Sequence, residues 1–285
     1  MEFGIEARGQ DYWGRCGDGA PFFIGRRLRY QGRVGLGNGF PGCPPAPIRY
    51  QAEDYRARFG LWADLIAPTI AGEGGSFTAL NSYDRAAFSF GIGQFAAHVP
   101  DGDFVCLLRT LLELPEAQTY FPTLSVKKGR VCDTNPLEDA SSTRALRHWL
   151  NPDPEAVGQQ ELATAARLIH WTLSSDAART AQVAQMVAGF QRTLARAAQR
   201  LPGRALTGAE ACVIADLVHH GRAGRFLWQR VAAALADAEP LARLLEIGGA
   251  RWTSRVDVLR AQILARPRLG KHVWDANLKA FRPAG

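Results

Sequence analysis

A chain of 285 residues with 47% hydrophobic and 21% charged content can bury a full core, and this composition excludes disordered, collagen-like and disulfide-stapled classes. The formal net charge of +7 favours polyanionic partners. Specific nucleic-acid binding has no motif behind it: the nearest basic run, Gly25-Arg26-Arg27-Leu28-Arg29, reads as a solvated strand or loop. No apolar run approaches the roughly 18 residues of a membrane-crossing helix, so no transmembrane segment is expected. The first residues lack a basic stretch followed by an apolar one. The expectation is therefore synthesis in the cytoplasm without a signal peptide. The five scattered cysteines read as reduced thiols.

Residues 1–50 are rich in Gly and Pro and read as an irregular arm with short strands at Phe22–Ile24 and Leu28–Tyr30. From residue 51 the spacing turns helical, with Tyr55, Phe59, Trp62, Leu65 and Ile66 on one face and Pro68 expected to bend or restart the helix. The helix is expected to stop at Gly72–Gly75, with Glu73 lodged inside the glycine signal. Residues 76–95 read as turns and a small antiparallel hairpin, and a helix resumes at Gly102. A second hairpin is expected around Lys127-Lys128-Gly129. Asn151-Pro152-Asp153-Pro154 is the clearest internal break.

After that break the pattern is nearly all helix. Thr207 to Glu210 has the form of a capping box, and Trp274–Phe281 reads as a last short helix. The expected fold class is mainly α (α+β). The domain division is an arm at 1–50 and one catalytic domain from 51, with lobes at about 51–150 and 151–285.

The chemistry concentrates in one stretch, IAGEGGSFTALNSYDRAAFSFGIGQF, residues 70–95. Hydrolysis of a glycosidic bond needs an acid to protonate the leaving oxygen and a carboxylate to activate water or stabilise charge. Glu73, behind an apolar helix and flanked by glycines, suits the first role, because a half-buried Glu has its neutral form favoured. Asp84, in a polar turn, suits the second, and Ser89 can hold a water beside it. Tyr83, Gln94 and His98 are candidate substrate-binding residues. His219 and His220 read as helix-end polar residues. The seven tryptophans read mostly as core, with one or two available to stack on sugar. Neither paired Cys or His at zinc spacing nor a nucleotide loop is present, so no metal and no cofactor are expected.

Glu-Gly, then an acid in a turn, then Phe88-Ser89-Phe90-Gly91-Ile92-Gly93-Gln94, closely resembles the phage-type lysozymes and related endolysins. Asp216-Leu217-Val218-His219 and Arg251-Trp252-Thr253-Ser254-Arg255 look like segments of that family's C-terminal lobe. The resemblance implies a two-lobed lysozyme-like fold with a hairpin beside a cleft. It also implies cleavage of the β-1,4 bonds of peptidoglycan, with Glu73 as general acid, Asp84 positioning or activating water and Ser89 assisting. Inversion is implied too, which places the carboxyls roughly 6.5–9.5 Å apart around a water.

A wall polymer as partner implies action on the cell wall after release or secretion, as an endolysin or as a secreted antibacterial effector. The latter role brings an immunity or inhibitor protein as a further partner. The chain departs from the family in its longer Glu-to-Asp spacing and in Gln94, where a His is common. Gly102-Asp103 opening a helix also resembles chitosanases of the same superfamily. In that reading chitosan is the substrate and Asp101 or Asp103 replaces Asp84. A non-catalytic wall-binding module is the alternative of a different class.

Overall fold

The computed structural model describes residues 1–284. In chain order the first elements are β1 (Phe3–Arg8), β2 (Asp11–Cys16), β3 (Phe22–Tyr30), β4 (Arg33–Gly37), α1 (Ala52–Phe59) and α2 (Leu61–Gly72). The short strands β5 (Leu80–Asn81), β6 (Ser89–Phe90) and β7 (Phe95–Ala96) follow, then α3 (Asp103–Leu112) and α4 (Ala117–Tyr120). After β8 (Ser125–Lys127) and β9 (Arg130–Cys132) come α5 (Arg144–Leu150), α6 (Gln159–Ser174) and α7 (Asp176–Arg200). The last part holds β10 (Leu206–Thr207), α8 (Gly208–His220), α9 (Leu227–Leu235), α10 (Pro240–Glu246), α11 (Thr253–Leu264), β11 (His272–Asp275) and β12 (Ala280–Pro283). About 47% of the chain is helical and 18% strand, which makes it an α+β protein.

The chain forms two compact units. The first takes Met1–Arg49 with Gly74–Gln185, and the second takes Tyr50–Glu73 with the chain from Met186 onward. Neither divides at Asn151. The reason is local: Asn151 is buried, and its Nδ2 donates to the carbonyls of Ser82 at 3.2 Å and Ala87 at 3.3 Å. The break in helical pattern is thus fastened to the hairpin instead of separating two lobes.

In the first unit, β1 to β7 pair in sequence order as one antiparallel sheet, with β4 and β5 joined through the Gly37–Asn81 pair. Residues 1–50, expected as an irregular arm, therefore supply four of its strands. Phe22 and Ile24 on β3 and Val34 and Leu36 on β4 are buried in the core, with the glycines Gly25, Gly35 and Gly37 buried beside them, while α6 packs against β1 and β3. The expected hairpin around Lys127–Gly129 forms as β8 and β9.

The second unit is built around α8, whose residues Gly208 to Leu217 are all buried. Thr207 and Glu210 close the expected capping box, with the Glu210 N–H donating to Thr207 Oγ1 at 3.2 Å and the Thr207 N–H to Glu210 Oε2 at 2.8 Å. Helices α2, α9 and α10 and, through α2 and α10, α11 surround it. Helix α2 continues through Pro68; the chain breaks instead at Gly60, with φ 57°. The expected last helix is a β-hairpin, β11–β12, paired to β10. There Asp275 Oδ1 accepts the N–H groups of Asn277 and Leu278, which fixes the turn, and Trp274 meets Trp62 and Phe281 at 5.6 and 5.2 Å. Among the described residues no helix is long and apolar enough to cross a membrane, and the five thiols are unbridged.

Candidate active site

Glu73 stands where α2 ends. Residues Ala63 to Ile70 of that helix are buried, and Gly74 and Gly75 take positive φ of 91° and 74°, a path closed to most L-residues. The Glu73 N–H still bonds back to the carbonyls of Thr69 at 3.0 Å and Ile70 at 3.1 Å, so its backbone belongs to the last turn. Its side chain is 17% exposed.

The expected apolar surrounding of this carboxyl is replaced by a charged one. Arg255 Nη1, from the first turn of α11, donates to Glu73 Oε1 at 2.7 Å. The same guanidinium donates through Nη2 to Asp216 Oδ1 at 2.6 Å. Asp216 also takes Arg222, whose Nη2 lies 3.3 Å from Oδ2. Arg222 Nη1 is held in turn by the carbonyls of Leu245 and Ile247.

Asp216 and Arg222 have fully buried side chains, so each needs the other. Burial pushes the Asp216 carboxyl up, and the guanidiniums of Arg255 and Arg222 outweigh it, leaving a net shift down. Burial pushes the Arg222 guanidinium down, against Asp216. On Arg255 burial acts downward, and Glu73 and Asp216 turn the net shift upward. The result is a row of alternating charges, Glu73–Arg255–Asp216–Arg222. Through Arg255 it ties the Glu73 carboxyl to Asp216 on α8.

His219 and His220 close this site from the last turn of α8. His219 Nε2 lies 3.9 Å from Glu73 Oε1. The His220 ring meets Trp252 edge-on at 4.6 Å. Burial first, then Arg255, pushes the His220 imidazole below its usual value.

Asp84, Tyr83 and Ser89 belong to the first unit. Asp84 sits in the turn between β5 and β6, as the polar Asn81-Ser82-Tyr83 run requires. Its Oδ2 accepts from Asn81 Nδ2 at 3.0 Å and its Oδ1 from the Ala86 N–H at 2.8 Å. Each oxygen keeps a lone pair for a further donor. Tyr83 packs edge-on against Tyr30 at 6.3 Å, and burial, then Asp84, raises its phenol. Ser89 is 4% exposed, paired with Asn81 on one side and Ala96 on the other. Gln94 is in the turn from β6 to β7 at φ 44°, its N–H on the Gly91 carbonyl at 2.9 Å. His98 follows β7, lowered by burial and then by Arg85, with Asp84 opposing.

Two buried side chains from the helices hold this hairpin, and sequence reasoning singled out neither. Gln182 on α7 is fully buried. Its Oε1 accepts the Ile92 N–H at 3.0 Å, and its Nε2 donates to the Phe77 carbonyl at 3.2 Å. Gly91, at φ 84°, lets it in: a Cβ there would overlap Gln182 Oε1. Glu161 on α6 is likewise fully buried. Its Oε1 accepts from the Ser82 hydroxyl and from the Leu36 N–H at 3.2 Å. Burial pushes its carboxyl up to about 7. In sequence Glu161 is a first-turn acid and Gln182 a polar residue within a helix, and only the tertiary pairing distinguishes them.

The acids after the hairpin are engaged differently. Asp101 Oδ1 takes Arg109 and Arg130, each at 2.7 Å, and the Arg109 bond leads the causes that hold it below the usual carboxylate range. Asp103 Oδ1 accepts from Gln185 Nε2 at 2.7 Å. Among the described residues no group of three or more His, Cys, Asp or Glu could hold a metal ion.

Compared with protein families, with curated proteins and with solved structures, the chain shows no match. One carboxyl is fixed at a helix end with a single oxygen engaged by a cation, and a second is fixed in a hairpin turn.

Proposed function

We propose that the chain is a glycoside hydrolase of the lysozyme-like kind, cleaving the β-1,4 bonds of peptidoglycan. Glu73 is the general acid. The contacts from Arg255 and His219 both fall on Oε1, which leaves Oε2 to carry the proton given to the leaving glycosidic oxygen. Asp84 takes the proton of the water that attacks the anomeric carbon, and attack from the face opposite the leaving group inverts it. Ser89 assists on β6, and Tyr83, Gln94 and His98 are the substrate contacts assigned to the hairpin region.

The observation that carries this reading is the fixation of Glu73. A buried Asp216–Arg222 pair is costly to maintain, and its visible effect is to hold Arg255 on one oxygen of a part-exposed glutamate. A lysozyme-like two-lobed fold is part of the same proposal, as is release or secretion to the wall, where the net charge of +7 suits an anionic polymer.

Turbidity of purified peptidoglycan, with soluble chitosan assayed in parallel, tests the reading. Clearing of peptidoglycan by wild type, lost in Glu73→Gln, is the expected result. Cleavage of chitosan alone shifts the substrate, and no cleavage of either removes the hydrolase reading.

A further inference from the structure

Trp252 is the only one of the seven tryptophans that is exposed, at 41%, and it stands beside the Glu73 network. Two routes connect them. Along the chain, Trp252 is the residue that precedes α11, and Arg255, three positions on in its first turn, holds Glu73. Across α8, the Trp252 ring meets His220 at 4.6 Å, and the adjacent His219 reaches to 3.9 Å from Glu73 Oε1.

The Trp252 main chain is held in place. Its backbone N–H donates to the Gly249 carbonyl at 2.8 Å, and its own carbonyl accepts from Val256 at 3.0 Å. Its chain neighbours Arg251, Thr253 and Ser254 are all exposed. The Arg251 guanidinium lies over the ring at 5.9 Å, a weak contact at an exposed site that a ligand displaces readily. A large aromatic left in water beside a fixed acid, with a cation over its ring and an imidazole at its edge, has the makings of a pyranose site. The C–H face of the sugar covers the indole, and its equatorial polar groups meet the rim.

We propose that Trp252 is a sugar platform of the substrate site, stacking on one ring of a β-1,4-linked N-acetylhexosamine glycan bound beside Glu73. The identity of the glycan rests on the hydrolase reading above; the platform itself rests on exposure and placement.

The test uses the full chain carrying Glu73→Gln, so that glycan is bound without being cut. Binding to insoluble peptidoglycan is measured by depletion at high salt, where charge attraction is screened. The parent is compared with added Trp252→Ala, Trp252→Phe or, as an exposed apolar control, Leu278→Ala, each checked for an unchanged melting profile. Alanine is expected to weaken binding about ten-fold, the loss of one aromatic contact of ordinary strength, while phenylalanine and the Leu278 control stay near the parent. Equal binding by alanine and parent overturns the proposal. So does a phenylalanine variant as weak as alanine, or a parent that does not bind. Trp252-dependent binding with no clearing by the wild type keeps the platform and removes only the hydrolase reading.

Discussion

Arg255 serves two acids with one guanidinium, Glu73 through Nη1 and Asp216 through Nη2, and its removal is felt at both. Arg255→Ala leaves Asp216 buried with only Arg222 as partner. Breaking one side of such an arrangement costs about 3–5 kcal/mol, to be read from urea unfolding. Arg255→Lys keeps the charge but cannot span both acids, so a smaller stability loss with strongly reduced clearing is expected. Glu161 gives a prediction of different form. A folded-state value of about 7 against 4.5 unfolded means that the buried group resists ionising. Its contribution to stability is therefore complete below pH 4.5, declines as pH rises toward 7, and levels above it, a total of about 3 kcal/mol. Glu161→Gln keeps an acceptor for Ser82 and Leu36 and removes the charge. Between pH 5 and pH 8 the wild type should lose stability relative to Glu161→Gln, in which the depressed His98 and His220 imidazoles still act in the opposite sense; the same pH dependence in the two proteins contradicts this account.

The hairpin of β5 to β7 is too short to stand alone, with two residues in each strand, and its order comes from what inserts behind it. Gly91 is the point of entry. Gly91→Ala must both strain a φ of 84° and displace Gln182 from the Ile92 N–H. A loss of about 2 kcal/mol or more is expected in thermal or urea unfolding. A variant as stable as wild type places Gln182 elsewhere.

At this scale the sequence was partly legible. The stop of α2, the turn at Asn81–Asp84 and the Thr207–Glu210 box were each written in local residue chemistry, and each stands in the structure. Strands β1 to β4 were obscured by glycines that lower strand propensity, although Phe22, Ile24, Val34 and Leu36 alternate as strand residues do. The terminal hairpin was obscured because Trp274 and Phe281, spaced to suit a helix face, meet across two strands instead. The Arg251–Arg255 and Asp216–His219 segments were marked by resemblance. Their ion pairs were not, because they join residues 39 and 182 positions apart.

For the whole molecule, α+β content and, among the described residues, the absence of a helix long and apolar enough to cross a membrane follow from pattern and composition, whereas the division of the chain does not. The compact units interleave in sequence, so that Glu73 closes one segment of the second unit and Asp84 belongs to the first. No linear boundary at residue 151 can describe that. The account of function rests on Glu73 more than on any other residue. The most direct measurement is the rate at which new reducing ends appear in purified peptidoglycan, for wild type and for Glu73→Gln at matched folded concentration. Loss of a general acid of ordinary strength predicts a fall of about 10²–10⁴-fold with glycan binding retained. Equal rates for the two proteins would contradict the assignment of Glu73 as the acid.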